Sequence, residues 1–291
     1  MRLPHFIIVG AMKSATSSLQ EQLVVQPGIF MSEPKEPNFF SDDDQFARGM
    51  GWYAGLFSEA GEGALLGEAS THYTKRPTHP NAVARLKQHV PDTRFIYVMR
   101  HPVDRLVSHY IHEWSMGIYN CEIGEAVARY PELIAYGQYA MQLKPYFDAF
   151  GKDAVLPVFF DRLIREPQAE LERVCRFIGY TGTPVWQQEL KPSNVSSERI
   201  RRFPLYGLLV DSRPATWLRR NLVPQPWRDM VKGRLTMKKR PELDASTRAD
   251  LEETFNRDLA ELGAWLGQPL DCASFKQVTA ACALDWVSGD A

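Results

Sequence analysis

Short apolar segments that alternate with helical patterns are the feature that most restricts the folds open to this chain. Four segments have the length and the apolar, β-branched or aromatic composition of buried strands: Phe6–Gly10, Leu65–Glu68, Arg94–Met99 and Ala154–Phe160. Helical periodicity marks the segments 14–25, 103–114, 163–178 and 246–266. Strands that alternate with helices in this way predict a three-layer α/β fold with a central, mainly parallel sheet flanked by helices.

Charge and cysteine content exclude several other classes of protein. The chain has 34 Lys and Arg against 35 Asp and Glu, so a generally basic nucleic-acid-binding protein is disfavoured. The first apolar run, Phe6–Met12, is far shorter than a membrane span, and no small-residue cleavage site follows it. The four cysteines form no CxxC pair, which favours reduced thiols over a disulfide framework or a zinc site. We therefore expect a cytoplasmic protein that has no membrane span and binds no nucleic acid.

The segment from about 190 to 243 differs from the rest of the chain. It is rich in proline and has weak periodicity. Between Arg199 and Arg240 it carries 12 Lys and Arg against two acidic residues, Asp211 and Asp229. This excess is consistent with a solvated surface, and equally with a face that binds an anionic ligand or acceptor.

The loop between the first strand and the first helix has the composition of an anion site. In Gly10–Leu19 (GAMKSATSSL), Lys13 supplies a charge and Thr16, Ser17 and Ser18 supply hydroxyl donors. A loop at the carboxyl end of a parallel strand meets a helix N-terminus, where backbone N–H groups favour a phosphate. The spacing of the Walker A motif is absent. The alternative is a surface lysine followed by a Ser/Thr-capped helix.

A second candidate anion site follows the strand Arg94–Met99. Arg100 stands at the carboxyl end of that strand, and Pro102 sets the backbone for a helix start. On this helix the predicted polar face carries Arg105, Ser108 and His112. An arginine fork suits a phosphate, and a serine hydroxyl can complete its shell. Two such sites favour a ligand with two separated phosphates, although a helix-capping arginine and an exposed serine are the alternative.

Together these segments resemble the sulfotransferases that use 3′-phosphoadenosine 5′-phosphosulfate (PAPS), in particular the heparan-sulfate-type and related bacterial enzymes. The first loop resembles the 5′-phosphosulfate loop, and RFIYVMRHPVDRLVSHY resembles the 3′-phosphate motif. Further similar segments are KEPNFF at 35–40, GMGWY at 49–53, GEAS at 67–70, a looser stretch at 139–179 and KKRP at 238–241. The resemblance implies a P-loop-NTPase-like fold and one sulfotransferase domain over residues 1–291, with a variable basic segment at about 190–243.

The resemblance also implies roles for individual residues. Lys13 is expected to stabilise the leaving 5′-phosphate, and Arg100 and Ser108 are expected to hold the 3′-phosphate. The 5′ end of the donor is expected to lie on Lys13, Ser14, Ala15, Thr16, Ser17 and Ser18. A late basic loop, Lys238, Lys239 and Arg240, is expected to close on the nucleotide. The scheme requires PAPS as donor, releases 3′-phosphoadenosine 5′-phosphate (PAP) and needs no metal. His109 and His112, which are three residues apart on a helix, are therefore expected at the core edge or surface and not as a metal pair.

Two departures from the family pattern bear on this implied site. Ala15 replaces a glycine of the phosphate loop, and alanine is strained there if the position requires positive φ. In the family, a lysine follows the glutamate of the segment that GEAS at 67–70 resembles. Ala69 replaces that lysine here, so another group is needed to supply the cation. Trp52 is expected to be a core residue, with stacking on adenine as the alternative.

The general base has two candidates. Glu36 matches the glutamate that serves as base in the heparan-type enzymes. His72 lies within one residue of the place where the small-molecule sulfotransferases have a histidine base, and neutral histidine is a good base near pH 7. Both stay as candidate catalytic residues together with Lys13.

Two other functions compete with the sulfotransferase interpretation. A P-loop nucleotide kinase would share the sheet and the phosphate loop, and magnesium dependence would distinguish it. A degenerate, non-catalytic nucleotide-binding protein would bind without transfer. The acceptor hydroxyl or amine is expected to belong to a small molecule, a saccharide or a carrier-bound substrate, and the sequence does not indicate an oligomeric state.

Overall fold

The computed structural model describes residues 1–190, 237 and 239–287. Within them a five-stranded sheet has the order β2-β3-β1-β4-β5, and every neighbouring pair is parallel. The strands are β1 (Phe6–Gly10), β2 (Ile29–Met31), β3 (Leu65–Ala69), β4 (Arg94–Met99) and β5 (Val155–Phe159). All their carboxyl ends therefore lie at one edge of the sheet, the edge at which open α/β sheets bind ligands.

Helices connect these strands and follow the last of them. The first six are α1 (Thr16–Val24), α2 (Asp43–Phe46), α3 (Gly49–Gly55), α4 (Ala82–His89), α5 (Pro102–Ser115) and α6 (Ile123–Arg129). The others described are α7 (Glu132–Ala135), α8 (Tyr139–Phe150), α9 (Phe160–Arg165), α10 (Pro167–Ile178), α11 (Ala245–Leu266) and α12 (Phe275–Ala281). Single 3₁₀ turns occur at Thr71–Thr74 and Lys152–Ala154.

The sheet separates two apolar cores because successive strand residues point to opposite faces. In β1, Ile7 and Val9 belong to the larger core, together with α3, α4, α8 and α11. Phe6 and Ile8 belong to the smaller core, which contains side chains of α1 and α10. The predicted three-layer fold with a parallel sheet covered on both faces is confirmed.

Two expectations about the helices are wrong. The single helix predicted over 163–178 is two helices, α9 and α10, which meet at Glu166 and Pro167. Proline has no N–H for a continuing helix and pushes the preceding residue out of the α region, and Glu166 has φ −130° and ψ 57°. Arg105, assigned to a polar face of α5, is fully buried. Gly137 and the Phe255 ring close over it.

Other expectations agree or lie outside the described residues. β4 has the predicted bounds, and the other predicted strands agree within one residue at each end. The strand β2 and the helices α4 and α8 were not predicted. No helix in the described ranges is long and apolar enough to cross a membrane. Lys238 and nearly all of the basic segment fall outside the described ranges.

Candidate functional site

The phosphate loop joins β1 to α1 through two residues with left-handed backbone. Lys13 has φ 70° and Ala15 has φ 69°, so the strained conformation expected for alanine at position 15 is present. Ala15 is also the N-cap of α1 and offers no side-chain hydrogen bond to the helix. The N-terminus of α1 therefore keeps its orphan N–H groups for a ligand.

One side chain of the loop is bonded to a neighbouring segment. Ser14 and Thr16 are buried, whereas Lys13, Ser17 and Ser18 are half-buried. The Ser17 hydroxyl accepts a hydrogen bond from Lys35 Nζ. This bond ties the loop to the KEPNFF segment, and burial lowers the pKa of Lys35.

Arg100 lies at the end of β4, next to this loop. Its Nη1 donates to the Lys13 carbonyl at 3.5 Å, and its guanidinium lies 4.4 Å from the centre of the Phe160 ring. Its Nε is buried and has no hydrogen-bond partner among the described residues. Ser108 is buried on α5, the helix that begins two residues after Arg100. A donor-rich group that is partly desolvated and incompletely paired is suited to an anion.

More positive charge surrounds Arg100. Arg240 Nη2 lies 3.2 Å from Asp104 Oδ1, and Lys276 Nζ lies 2.6 Å from Asp104 Oδ2. Burial opposes ionisation of Asp104, but the hydrogen bond and charge of Lys276 hold its pKa below the ordinary value. One carboxylate is thus shared by two cations, and Arg100 adds a third. The charge of Arg240 acts on Arg100, so Arg240 is near the predicted 3′-phosphate site. Both Arg240 and Lys239 are exposed to solvent.

Glu36 is placed at the end of β3 by its backbone. Its N–H donates to the Ala69 carbonyl at 3.0 Å, and its φ is 55°. Its side chain is one-third exposed; Thr71 Oγ1 donates to Glu36 Oε1 at 3.4 Å and Lys35 Nζ lies 3.9 Å from the same atom. Ala69, where a family lysine was expected, is buried in the smaller core and accepts this backbone bond. A carboxylate at this position can accept a proton from a group at the edge of the sheet.

A buried carboxylate fixes the loop that carries Glu36. Glu68 is fully buried in β3 and accepts hydrogen bonds from Ser70 Oγ at 2.6 Å and from the Tyr53 hydroxyl. Ser70 Oγ in turn accepts the Asn38 N–H at 3.1 Å. Burial raises the pKa of Glu68, while these donors act in the opposite direction. Sequence reasoning missed this network, because its only signal is a glutamate inside an apolar strand.

His72 lies in the 3₁₀ turn after β3. Its ring stacks on His79 with centroids 4.8 Å apart and planes 19° apart. Burial, followed by the charge of Lys75, lowers the pKa of His72 to about 3. The imidazole is therefore neutral at pH 7, as a base must be. Its Nδ1 has no hydrogen-bond partner among the described residues.

Lys75 is a buried cation that sequence reasoning did not identify. It follows the 3₁₀ turn, is only 9% exposed, and has its Nζ 5.8 Å from the centre of the Tyr136 ring. Burial lowers its pKa to about 8, although Glu36 and Glu113 favour the charged form. The one signal in the sequence was a lysine shortly after a strand end that carries candidate site residues.

The remaining candidates, Trp52 and His109, pack against other side chains of the fold. Trp52 is half-buried, packs on Phe39 with ring centroids 5.8 Å apart, and lies under the Arg48 guanidinium at 3.7 Å. His109 is buried, with Nε2 3.4 Å from Glu113 Oε1. These contacts agree with the core and core-edge interpretations of Trp52 and His109.

Fold and site together define an α/β protein of the P-loop type with cationic side chains at two strand ends. Its two cationic sites lie at the ends of neighbouring strands, β1 and β4, and Arg100 contacts the loop of Lys13 directly. The family model described as "Sulfotransferase domain" matches residues 3–207 of the chain. The chain belongs to this sulfotransferase family.

Similar proteins agree with this assignment. The chain is 31% identical over 188 residues to "Heparan sulfate glucosamine 3-O-sulfotransferase 3A1" of Mus musculus, a match that covers 61% of the chain and 46% of the relative. It is 26% identical over 292 residues to "Bifunctional heparan sulfate N-deacetylase/N-sulfotransferase 3" of Homo sapiens, covering 92% of the chain and 31% of the relative. The chain thus spans about half the length of the first relative and about a third of the second.

A solved structure resembles the chain over nearly its whole length. The sulfotransferase from Alicyclobacillus acidocaldarius has a TM-score of 0.65 and 25% sequence identity, and the match covers 93% of this chain and 98% of the other. The P-loop-NTPase-like fold expected from the sequence is confirmed by this similarity and by the parallel sheet.

Proposed function

We propose that this protein transfers a sulfonyl group from PAPS to a hydroxyl or amine of an acceptor. The observation that carries this proposal is the contact between Arg100 and the loop of Lys13, which joins two anion sites at neighbouring strand ends. PAPS has two separated anionic groups, a 3′-phosphate and a 5′-phosphosulfate. Membership of the sulfotransferase family supports the same donor.

The donor would lie across both strand ends. Arg100 and Ser108 would bind the 3′-phosphate, with Arg240 adding charge at the rim. Lys13 and the start of α1 would bind the 5′ end, and the residues assigned to that end are Ser14, Ala15, Thr16, Ser17 and Ser18. A 3′-phosphate contact distinguishes PAPS from ATP, which lacks this group. We extend the proposal to one sulfotransferase domain over 1–291, in which the segment at about 190–243 with Lys238 and Lys239 contributes to closure or acceptor binding.

Catalysis in this proposal uses charge, position and one base. The acceptor oxygen or nitrogen attacks sulfur in line, its bond to sulfur forms, and the bond from sulfur to the 5′-phosphate oxygen breaks. Lys13 stabilises the charge that develops on that leaving oxygen. Glu36 takes the acceptor proton, since its carboxylate stands at the adjacent strand end and is partly open to solvent. His72 is the alternative base. Its neutral ring fits that role, but it is stacked on His79.

A saccharide is the acceptor class that the relatives favour. The names of the mouse and human relatives both specify heparan sulfate, with transfer to oxygen in one and to nitrogen in the other. We therefore propose a saccharide hydroxyl or amine as the acceptor group of this chain. A small molecule or a carrier-bound substrate would be identified by the same transfer assay.

Calorimetric titration with PAP tests the donor site. We expect metal-independent binding of PAP at least tenfold tighter than binding of ADP, with or without magnesium. Arg100→Ala should weaken PAP binding by about 10- to 100-fold, the usual loss for a charged hydrogen bond. Arg94→Ala is the matched control, because Arg94 lies at the opposite end of the same strand.

Preference for ADP with magnesium would overturn the proposal in favour of a kinase. PAP binding without transfer of ³⁵S from labelled PAPS to heparan sulfate, a small phenol or water would favour a non-catalytic protein.

A further inference from the structure

Lys75 is held next to the start of the phosphate loop. It directly follows the turn Thr71–Thr74, and Thr74 Oγ1 donates to the Val9 carbonyl at 2.6 Å. A Cβ at Gly10 would lie 2.1 Å from Thr74 Oγ1, so the turn packs against β1 without space for a side chain. The residue before Lys75 is therefore fixed to the strand that leads into the loop of Lys13.

The same turn reaches Glu36 at its other end. Thr71 Oγ1 donates to Glu36 Oε1 at 3.4 Å, and the Glu36 backbone is bonded to the end of β3. A four-residue turn thus contacts the proposed base at its first residue and the end of β1 at its last. Lys75 therefore directly follows a turn that contacts both Glu36 and the end of β1, and Glu36 is the carboxylate whose charge acts most on it.

The surroundings of the Lys75 amine leave its charge without a close partner. No carboxylate in the described part of the chain lies within 4 Å of its Nζ, and only 9% of the residue is exposed. The charged and titratable groups that act on it or are acted on by it are Glu36, His72, His79, Arg105, His109 and Glu113. A buried charge with this little compensation is costly, so such groups are found mainly at functional sites.

We infer that Lys75 is a second cation of the transfer site, whose ammonium binds the sulfonyl oxygens of the donor on the side that faces Glu36. This inference rests on the proposed function. Sulfonyl transfer concentrates negative charge on those oxygens, and Lys13 serves the leaving oxygen instead. The side chain of Ala69, at the end of β3, offers no charge. Lys75 keeps its proton throughout: the acceptor proton goes to Glu36, and the released electron pair goes to the 5′-phosphate.

The sharpest test compares the affinities of PAPS and PAP, which differ only in the sulfonyl group. Lys75→Met should weaken PAPS binding by about tenfold and leave PAP binding unchanged, because one charged hydrogen bond is lost. Lys75→Arg should retain most of the PAPS affinity. Lys87→Met is the matched control. Lys87 also lies over an aromatic ring, 5.2 Å from the centre of Phe150, but is exposed on α4.

Failure of the inference and failure of the proposed function give different results. If wild-type protein binds no PAP, the proposed donor site is wrong. If PAP binds and Lys75→Met weakens PAPS and PAP equally, or neither, Lys75 does not contact the sulfonyl group and the inference is overturned.

A second measurement covers the case in which Lys75→Met does not fold. Reductive methylation with ¹³C-formaldehyde labels the lysines for NMR, and the resonance absent from Lys75→Arg identifies Lys75. It should titrate near pH 8 in the free protein. PAPS should raise that midpoint by at least one unit, because a bound anion favours the ammonium, and PAP should raise it less. Equal midpoints with PAPS and with PAP would overturn the inference.

Discussion

The two halves of the site are built in different ways. The half assigned to the donor, with Lys13, Arg100 and Ser108, stands on strand ends and helix starts. The half with Glu36 and Lys75 stands on loops and a 3₁₀ turn, where Glu36 and Asn38 have positive φ. The first half is positioned by strand ends and helix starts that flank a short loop, in which Lys13 and Ala15 also have positive φ. The second half is positioned by single hydrogen bonds to β1 and to the end of β3.

We expect this difference to separate donor binding from sulfonyl transfer. A donor site made of helix N-termini and strand ends is rigid as part of the sheet. The loop of the proposed base, Glu36, is held through Ser70 and Glu68, side chains whose loss should shift the loop without disturbing the sheet. Changes in the loop half should therefore lower turnover and spare PAP affinity, whereas changes at Arg100 should lower affinity.

Replacement of Glu36, the proposed base, should give the largest effect. We expect Glu36→Gln to reduce ³⁵S transfer from PAPS to heparan sulfate, or to water where that is the acceptor, by about 10²- to 10⁴-fold. The reason is that glutamine cannot take the acceptor proton. PAP affinity, measured by calorimetry, should stay within about threefold of wild type, since no phosphate contact is removed.

His72→Gln is the matched comparison within the same half. We expect less than a tenfold loss of transfer, because its ring is stacked on His79 and is not assigned a proton in the reaction. The pKa of about 3 gives a second criterion. If His72 were the base, it would be deprotonated at all higher pH values, so transfer would fall only as the pH drops through about 3. A larger loss in His72→Gln than in Glu36→Gln would exchange the two roles.

Sequence reasoning performed well where regular backbone decides the geometry. The carboxyl ends of parallel strands lie at one edge of the sheet, so Lys13 and Arg100 could be assigned to two strand ends from the sequence. That β1 and β4 are neighbours came from the structure. A local rule, the glycine expected at that position, also raised the condition of positive φ at Ala15, which the structure meets. Such inferences need only the hydrophobic periodicity of the sequence and the chemistry of residues close to each other in it.

It performed poorly where distant segments meet. Arg105 looked exposed from helical periodicity, but Gly137 and α11 bury it, and neither is close to it in sequence. The role of Glu68 depends on Tyr53, fifteen residues away. Lys75 became visible only when the turn after β3 was seen to pack on β1. These contacts come from tertiary packing, which no local pattern contains.

Ser70→Ala should give an intermediate effect and tests the loop half directly. The change removes a donor to Glu68 and the acceptor of the Asn38 N–H. Loss of these buried hydrogen bonds should lower the free energy of unfolding by about 1–3 kcal/mol, measured by urea denaturation. Transfer should fall by about tenfold because Glu36 is less well placed, while PAP affinity is retained.

Ser58→Ala is the control for Ser70→Ala. The Ser58 hydroxyl also makes one hydrogen bond, to the Gly55 carbonyl at 2.8 Å, but it is exposed. We expect its replacement to change stability by less than about 0.5 kcal/mol. Equal losses of PAP binding and transfer in Ser70→Ala would contradict the separation of the two halves.

The smallest expected effect concerns strain in the donor half. Ala15→Gly should raise the free energy of unfolding by about 0.5–1 kcal/mol, because glycine relieves the left-handed conformation at φ 69° and part of the gain is lost to unfolded-chain entropy. Ala84→Gly on the exposed face of α4 is the control, and should destabilise by about 1 kcal/mol. PAP affinity should stay within about threefold in both variants.

If Ala15→Gly instead destabilises as Ala84→Gly does, the loop is not strained at this residue. If it stabilises the fold but weakens PAP binding tenfold or more, the strained alanine serves ligand binding, and the donor half is then held by more than regular backbone.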